Sequence, residues 1–194
     1  MGAPMVTATA LGSETPPPVP AVPKYLGIRL RPETDGDEPF LRVLYRSTRH
    51  DEMCRAGLDP VAMQPFLDSQ FDLQRRHYRL HYAVGGAFSV LICRRKREPV
   101  GRLYTHESPG DLRVVDISLM PGRRGQGLGT GLLTALQTLA AQRTGRLSLH
   151  VDPANRAAAL YERLGFRIVD TTGMSWRMEW RPGQNQGSGT IKGL

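Results

Sequence analysis

The chain is poor in cysteine and has no long apolar run. Only two of its 194 residues are cysteines, Cys54 and Cys93, and neither lies in a CxxC pair. Two cysteines cannot build a disulfide framework for a chain of this size, so a reducing, cytoplasmic location is expected. No apolar run approaches the roughly 18 residues of a membrane span. Because the first positive charge is Lys24, a secretory signal peptide is not expected either.

Lysine is also scarce, although the chain is basic. Three lysines accompany 23 arginines, and 26 basic residues stand against 18 acidic ones, giving a formal charge of +8. The charges cancel over residues 25–93, whereas residues 94–181 hold 15 basic and eight acidic residues. Guanidinium groups suit phosphates and carboxylates, so an anionic partner is expected; codon bias is an alternative reason for the arginines.

The composition fits one globular domain with two tails. Residues 1–24 hold six of the 15 prolines and almost no charge, which predicts a disordered or polyproline-like leader. Residues 182–194 have the composition of a flexible linker. The folded domain is therefore predicted over residues 25–181.

Apolar periodicity within that span predicts an α/β protein. The order of elements is β-α-α-β-β-β-α-β-α-β-β, beginning with a strand over Tyr25–Arg31. A helix over residues 155–164 and strands over residues 166–170 and 175–180 end the pattern. Such an order predicts a sheet that is antiparallel early in the chain and has parallel crossover units late.

A glycine cluster between the fourth strand and the third helix carries the clearest chemical signal. Its glycines let consecutive backbone N–H groups approach an anion at a helix N-terminus, where unpaired donors and the helix dipole favour negative charge. A P-loop is excluded because Gly127 is followed by Leu128 and not by lysine. The glycines at 125, 127, 129 and 131 do not form the GxGxxG of dinucleotide-binding proteins. The ligand is expected to carry phosphate.

This cluster contains Arg124-x-x-Gly127-x-Gly129, and the chain later reads Asn155-Arg-Ala-Ala-Ala-Leu-Tyr161-Glu-Arg-Leu-Gly165-Phe166. In this order and at this distance, the two segments resemble the GCN5-related N-acetyltransferase (GNAT) superfamily over about residues 26–181. The resemblance implies a mixed, mostly antiparallel sheet of about seven strands, splayed between strands 4 and 5 and flanked by about four helices. It also implies direct transfer of an acetyl group from acetyl-CoA to a primary amine, with no metal.

The resemblance further implies where CoA binds. In similar proteins the two strands separate at a bulge and the pantetheine arm lies between them, here between residues 117–120 and 147–151. A freed backbone N–H near Leu119 would then polarise the thioester carbonyl. The implied CoA-binding residues are Ile117, Leu119, Met120, Arg124, Gly125, Gln126, Gly127, Leu128, Gly129, Thr130, Asn155 and Tyr161.

Tyr161 matches the family's usual general acid, which protonates the departing CoA thiolate. The alternative is that Tyr161 is a core aromatic residue and that Asn155 is only a helix N-cap.

Attack by the amine also needs a base. Asp116 is the first candidate and His150, on the facing strand, is the second. Asp116 could instead bind a cationic acceptor or stabilise the site.

The reasoning for Asp116 depends on strand alternation. Strict alternation places Val115, Ile117 and Leu119 on one face and Asp116 and Ser118 on the other. Asp116 would therefore point to the acceptor side of the sheet.

Two other patterns are set aside. His77 and His81 have the i, i+4 spacing of zinc helices but no third ligand is evident. The basic run at residues 94–97 is predicted to be a solvated hairpin turn, and its lack of interleaved aromatics argues against nucleic-acid binding.

The expected partners are acetyl-CoA and an amine-bearing small molecule, peptide or protein, with no nucleic acid or membrane, and the chain is expected to be a monomer or homodimer. A non-catalytic CoA-binding sensor and an enzyme with a longer acyl donor are the alternatives.

Overall fold

The computed structural model describes residues 19–55, 57, 59–82, 87–172 and 175–184. The predicted proline-rich leader and the C-terminal tail therefore fall mostly outside the described residues. Within the described part, Val22 packs against the hydrophobic core.

The described residues form seven strands and four α-helices in the predicted order. The strands are β1 Ile28–Pro32, β2 Ala87–Arg95, β3 Glu98–Ser108, β4 Asp111–Leu119, β5 Leu147–Val151, β6 Arg167–Thr172 and β7 Ser175–Trp180. The helices are α1 Glu38–Arg55, α2 Pro60–His81, α3 Leu128–Arg143 and α4 Ala158–Arg163. The predicted α/β class is confirmed. None of the helices in the described part is long and apolar enough to cross a membrane.

Two elements start later than the sequence pattern predicts. Residues Lys24–Leu26 form a 3-10 turn, and Gly27 follows in the left-handed conformation with φ 62°, so the first strand begins at Ile28. Helix α4 begins at Ala158 because the three preceding residues form a turn in which the Asn155 carboxamide accepts a hydrogen bond from the Ala157 N–H at 2.9 Å.

The strands form one sheet in the order β1-β2-β3-β4-β5-β7-β6. Neighbouring strands are antiparallel except for β4 and β5, which are parallel. Their parallel pairing covers only residues 112–114 and 147–149, and beyond Val114 and Leu149 the strands no longer pair. The predicted splay between strands 4 and 5 is therefore confirmed.

A β-bulge in β4 directly follows the last parallel pair. On β3, Tyr104 lies opposite Asp116, whereas the next residue, Thr105, lies opposite Val114. Val115 is therefore the extra residue, which two-against-one pairing leaves without a partner.

The bulge changes which residues of β4 face the core. Leu112 and Val114 are buried before it, and Ile117 and Leu119 pack against the same core beyond it. Strict alternation, which predicts a shared face for Val115, Ile117 and Leu119, therefore holds only for the last two.

Helices α3 and α4 cover one face of the sheet. The side chains of α3 that pack there include Leu132, Leu133 and Leu136, all with no exposed surface. A second, smaller core forms under α1 and α2 on the opposite face, where Leu41, Phe71 and Ile92 pack together. The gap between β4 and β5 thus lies between two separately packed layers.

Candidate active site

The gap between β4 and β5 exposes backbone donors of β4. The Met120 N–H donates to the Val100 carbonyl of β3 at 2.9 Å. Hydrogen-bonded and non-hydrogen-bonded pairs alternate in an antiparallel ladder, so the Leu119 N–H points away from β3 and toward the gap. Ile117 has the same orientation two residues earlier.

Arg124 fixes the other polar group of Leu119. Its Nε donates to the Leu119 carbonyl oxygen at 2.9 Å. Because this carbonyl is already satisfied, the polar group that Leu119 presents to the gap is the N–H. Arg124 therefore acts on the backbone of β4, and the rest of its exposed guanidinium remains at the surface.

Close contact between β3 and β4 holds Leu119 in place. A Cβ added at Gly101 would lie 2.4 Å from the Ser118 carbonyl oxygen and 3.3 Å from the Leu119 Cα, both backbone atoms. Only glycine permits this approach, because a backbone atom cannot rotate away from a methyl group.

Gly101→Ala is therefore expected to lower the free energy of unfolding by about 2 kcal/mol, the usual cost of overpacking a tight interior. Urea unfolding measures the change. Gly122→Ala is the matched control, because nothing lies within 4 Å of a Cβ there and its φ is not positive. Equal stability of the two variants would contradict the close-contact interpretation.

The glycine cluster forms the N-terminus of α3. Gly125 and Gly127 have φ of 71° and 75°, which L side chains rarely adopt. The first i to i−4 bond of α3 runs from the Gly131 N–H to the Gly127 carbonyl at 2.9 Å. The N–H groups of residues 128–130 therefore have no partner within the helix and are available to an anion.

A cleft of about 330 Å³ opens at this helix end. Its lining includes Leu26, Arg95, Gln126 and the start of α3. The Gln126 side chain donates to the Gly122 carbonyl at 2.9 Å and accepts from Arg95 at 2.8 Å. Both polar ends of the Gln126 side chain are thus engaged within the protein.

The basic run at residues 94–97 forms the predicted hairpin turn. Its position beside the glycine cluster that precedes α3 was not predicted from the sequence. Arg95, Lys96 and Arg97 line a second, open depression of about 710 Å³ together with Glu98 and Arg123. The predicted antiparallel pairing could have indicated this position, because the strand that ends at Leu119 pairs with the strand that starts at this hairpin.

Tyr161 lies on α4 and is 7% exposed. Its ring packs edge to face with Phe166 at 5.8 Å. Burial, followed by the negative charge of Asp116, raises the pKa of Tyr161 to about 12. No described residue hydrogen-bonds to its hydroxyl. Tyr161 is therefore a core aromatic whose hydroxyl stays protonated and remains available.

Asn155, by contrast, is exposed and uses its side-chain oxygen in the turn before α4. Its contact with CoA stays a prediction.

Asp116 lies beside the gap and is held by three donors. Arg102 donates to Oδ2 at 2.6 Å, Ser118 donates to Oδ1 at 2.7 Å, and the Tyr78 hydroxyl lies 3.5 Å from Oδ2. Arg102 is 4% exposed. Desolvation would lower the pKa of its guanidinium, but the charge and hydrogen bond of Asp116, together with the neighbouring tyrosines, outweigh it and raise the pKa. Both carboxylate oxygens are thus occupied.

His150 lies on β5 just beyond the last parallel pair and is exposed. Partial desolvation of the imidazole, followed by the positive charges of Arg113 and Arg177, lowers its pKa from the ordinary 6.5. A neutral imidazole at physiological pH can accept a proton.

The other two histidines of the sequence analysis, His77 and His81, stack at 4.9 Å. Across the described ranges, no group of three or more His, Cys, Asp or Glu side chains could hold a metal ion.

Comparisons with known proteins identify sequence and fold relatives. The sequence model of the Acetyltransferase (GNAT) family matches residues 51–166. No curated protein sequence matches the chain significantly.

Three solved structures illustrate the fold similarity. PaiA N-acetyltransferase from Thermoplasma acidophilum in complex with coenzyme A has a TM-score of 0.58 and 18% identity, covering 79% of this chain and 98% of that chain. An acetyltransferase from Thermus thermophilus has a TM-score of 0.59 and 21% identity, covering 79% and 96%. Arabidopsis thaliana Naa50 in complex with the bisubstrate analogue CoA-Ac-MVNAL has a TM-score of 0.51 and 16% identity, covering 79% and 98%.

Proposed function

Because the chain belongs to the acetyltransferase (GNAT) family, we propose that it is an N-acetyltransferase that transfers an acetyl group from acetyl-CoA to a primary amine by direct transfer in a ternary complex. The observation that carries the proposal is the gap between β4 and β5, with the Leu119 N–H directed into it and the open N-terminus of α3 at its end. Few other ligands combine an extended arm with a pyrophosphate.

The donor groups present fit CoA. The N–H groups of residues 128–130 lack helical partners and would hold the pyrophosphate, with Gly125 and Gly127 giving the backbone room to approach. Arg95 lines the cleft at this helix end, and Arg123 lines the open depression beside it. Arg124 belongs to the same loop and is exposed. A polyanionic substrate thus accounts for part of the excess of basic residues over residues 94–181.

The Leu119 N–H would stabilise negative charge on the thioester oxygen. When the amine nitrogen attacks the carbonyl carbon, the π electrons move to this oxygen, and a fixed donor in the gap lowers the barrier without reorganisation. Gly101 and Arg124 keep this donor in place through the contacts described above.

Tyr161 would donate the proton that the leaving thiolate takes when the C–S bond breaks. With its pKa raised to about 12, the phenol is fully protonated at physiological pH. Full transfer to a thiolate, whose conjugate acid has a pKa of about 8.5, is uphill by about 3 to 4 pH units in the free enzyme. Tyr161 therefore first acts as a hydrogen-bond donor to the developing thiolate and completes the transfer as the charge forms.

We assign the amine's proton to His150 rather than to Asp116. The imidazole is exposed and its lowered pKa keeps it neutral, whereas three donors already hold the carboxylate of Asp116. The proton would pass directly or through one water.

The His150 imidazole is expected to titrate below pH 6.5 in a chemical-shift titration. Arg177→Gln should raise this pKa, because removal of a neighbouring positive charge favours the protonated ring. Arg29→Gln, on the exposed edge of β1, is the control and should leave it unchanged. A His150 pKa above 6.5 in the unsubstituted protein would contradict the assignment.

The proposed activity is tested by calorimetric binding of acetyl-CoA and by thiol release over a library of amines. Binding together with amine-dependent release supports the enzyme. Binding without release from any amine would favour a CoA-binding sensor, absence of binding would overturn both, and faster turnover of longer acyl-CoA esters would reassign the donor.

A further inference from the structure

Basic side chains gather on the sheet face opposite α3, where β4 and β5 are still paired. His106 of β3 lies opposite Arg113 of β4, and Arg113 lies opposite Ser148 of β5. One step closer to the gap, His150 lies opposite Arg177 of β7. Side chains of directly opposed residues are about 5 Å apart at Cβ. Ser148 and His150 lie two residues apart on the same face of β5 and join the two sets. We call these five residues the acceptor patch.

Several donors in the acceptor patch have no partner. Among the described residues, no carboxylate lies within ion-pair distance of Arg113, which is half-buried. The Arg177 Nε and the His106 Nε2 are buried without a hydrogen bond. An unpaired buried donor costs stability unless a ligand or water satisfies it.

The carboxylates near the patch are mostly engaged by other groups. Asp111 accepts from Arg146 at 3.1 Å and from Ser148 at 2.7 Å. Glu179 is shared by Arg177, Arg146 and Arg181. Asp170 lies opposite Arg177 on β6 and is exposed.

Arg113 is therefore the uncompensated cation, and the charges of Arg113 and Arg177 are both felt at His150, where they lower its pKa. Arg113 and Arg177 lie on the same face of the sheet, on either side of β5. Guanidinium groups are suited to a carboxylate or a phosphate, which accept paired hydrogen bonds. The patch also lies within one residue of the gap. A small molecule could therefore place an anionic group between Arg113 and Arg177 and, a few bonds away in the same molecule, an amine beside His150.

We propose that the acceptor is a small amine that also carries an anionic group, a carboxylate or a phosphate, and that Arg113 and Arg177 bind that group. This inference rests on the proposed acetyl transfer. The proposal predicts that amines without an anionic group, including cationic ones such as polyamines, are not the preferred acceptors. Arg113 and Arg177 are specificity-determining residues in this proposal.

Matched pairs of amines test the proposal. Glycine and β-alanine are compared with their carboxamides, and phosphoethanolamine with ethanolamine, by thiol release from acetyl-CoA. The anionic member of at least one pair is expected to have a kcat/KM at least tenfold above that of its neutral partner. The carboxylate and phosphate pairs also show which anion the patch takes. Neutral partners that react as well as or better than the anionic members would overturn the proposal.

Arg113→Gln should remove this preference. We expect KM for the anionic amine to rise about tenfold and its kcat/KM preference over the neutral partner to fall about tenfold. Any effect of the substitution on His150 acts on both members of a pair and cancels in that preference. Arg113→Lys keeps the charge but loses the fork and should fall between the two. Arg29→Gln, with the same loss of charge at the far edge of the sheet, should change neither. A preference that survives Arg113→Gln would overturn the proposal.

A direct binding measurement separates this proposal from the enzymatic one. The Nε–H signals of Arg113 and Arg177 are followed by NMR as β-alanine, phosphoethanolamine and their neutral partners are added to the acetyl-CoA complex. Shifts with the anionic members alone support the patch even when no thiol is released, in which case only the proposed activity fails. If no anionic amine shifts these signals, the patch is not an anion site, whatever the result of the thiol assay.

Discussion

Asp116→Asn is expected to lower the free energy of unfolding by about 3–5 kcal/mol, the usual cost of removing one partner of a buried ion pair. Arg102 is 4% exposed and donates to Asp116 at 2.6 Å, and its Nε is already buried without a partner. The substitution leaves the guanidinium charge in the interior without a counter-charge, with only neutral acceptors such as Gln74 beside it. Urea unfolding measures the loss.

A double variant separates stability from catalysis at this position. Replacing both partners, Arg102→Met with Asp116→Leu, removes the buried charges together and should recover most of the lost stability. If His150 is the base, turnover per folded molecule should stay within tenfold of the unsubstituted protein. A hundredfold loss in the folded double variant would instead assign the base to Asp116.

Tyr161→Phe is expected to slow acetyl transfer about hundredfold while the affinity for acetyl-CoA stays within twofold. The phenyl ring keeps the edge-to-face contact with Phe166 and the core packing, so only the hydroxyl is lost. Because no described residue hydrogen-bonds to this hydroxyl, the free energy of unfolding should change by less than about 0.5 kcal/mol. Steady-state kinetics, calorimetry and urea unfolding check the three parts.

Tyr45→Phe provides the matched control for this prediction. Tyr45 is a buried tyrosine of the second core, next to Phe71, and lies outside the gap. The same chemical change there should leave turnover intact. Unchanged turnover in Tyr161→Phe, or an equal loss in both variants, would remove Tyr161 from the role of general acid.

Local sequence patterns predicted the fold well because each element carries its own signal. Alternation, helix stripes and the glycine cluster depend on neighbours in the chain, and the order of elements they give is the order observed. Element ends were less predictable. The start of β1 depends on Gly27 adopting a left-handed conformation, and the start of α4 depends on a hydrogen bond made by Asn155.

The surroundings of the site residues could not be predicted, because they depend on partners distant in sequence. Strand alternation placed Asp116 on the acceptor side of the sheet, but it could not show the partners of Asp116, because Arg102 comes from the neighbouring strand and Tyr78 from α2. Arg113 and Arg177 are 64 positions apart and meet His150 only through the sheet order β4-β5-β7. Single residues at such spacing leave no pattern in one sequence.

The bulge at Val115 couples the packing of the core to the gap between β4 and β5, and this coupling limits which residues of the site can be substituted. In Leu112-Arg-Val-Val-Asp-Ile-Ser-Leu119 the apolar residues at 112, 114, 117 and 119 can share a face only if the strand slips by one residue between 114 and 117. The same apolar residues that pack in the core therefore require the bulge. Because β4 and β5 separate directly after it, the opening between them depends on these core residues. Polar residues around the opening can be substituted, and the acceptor specificity changed, while the core residues keep the opening itself.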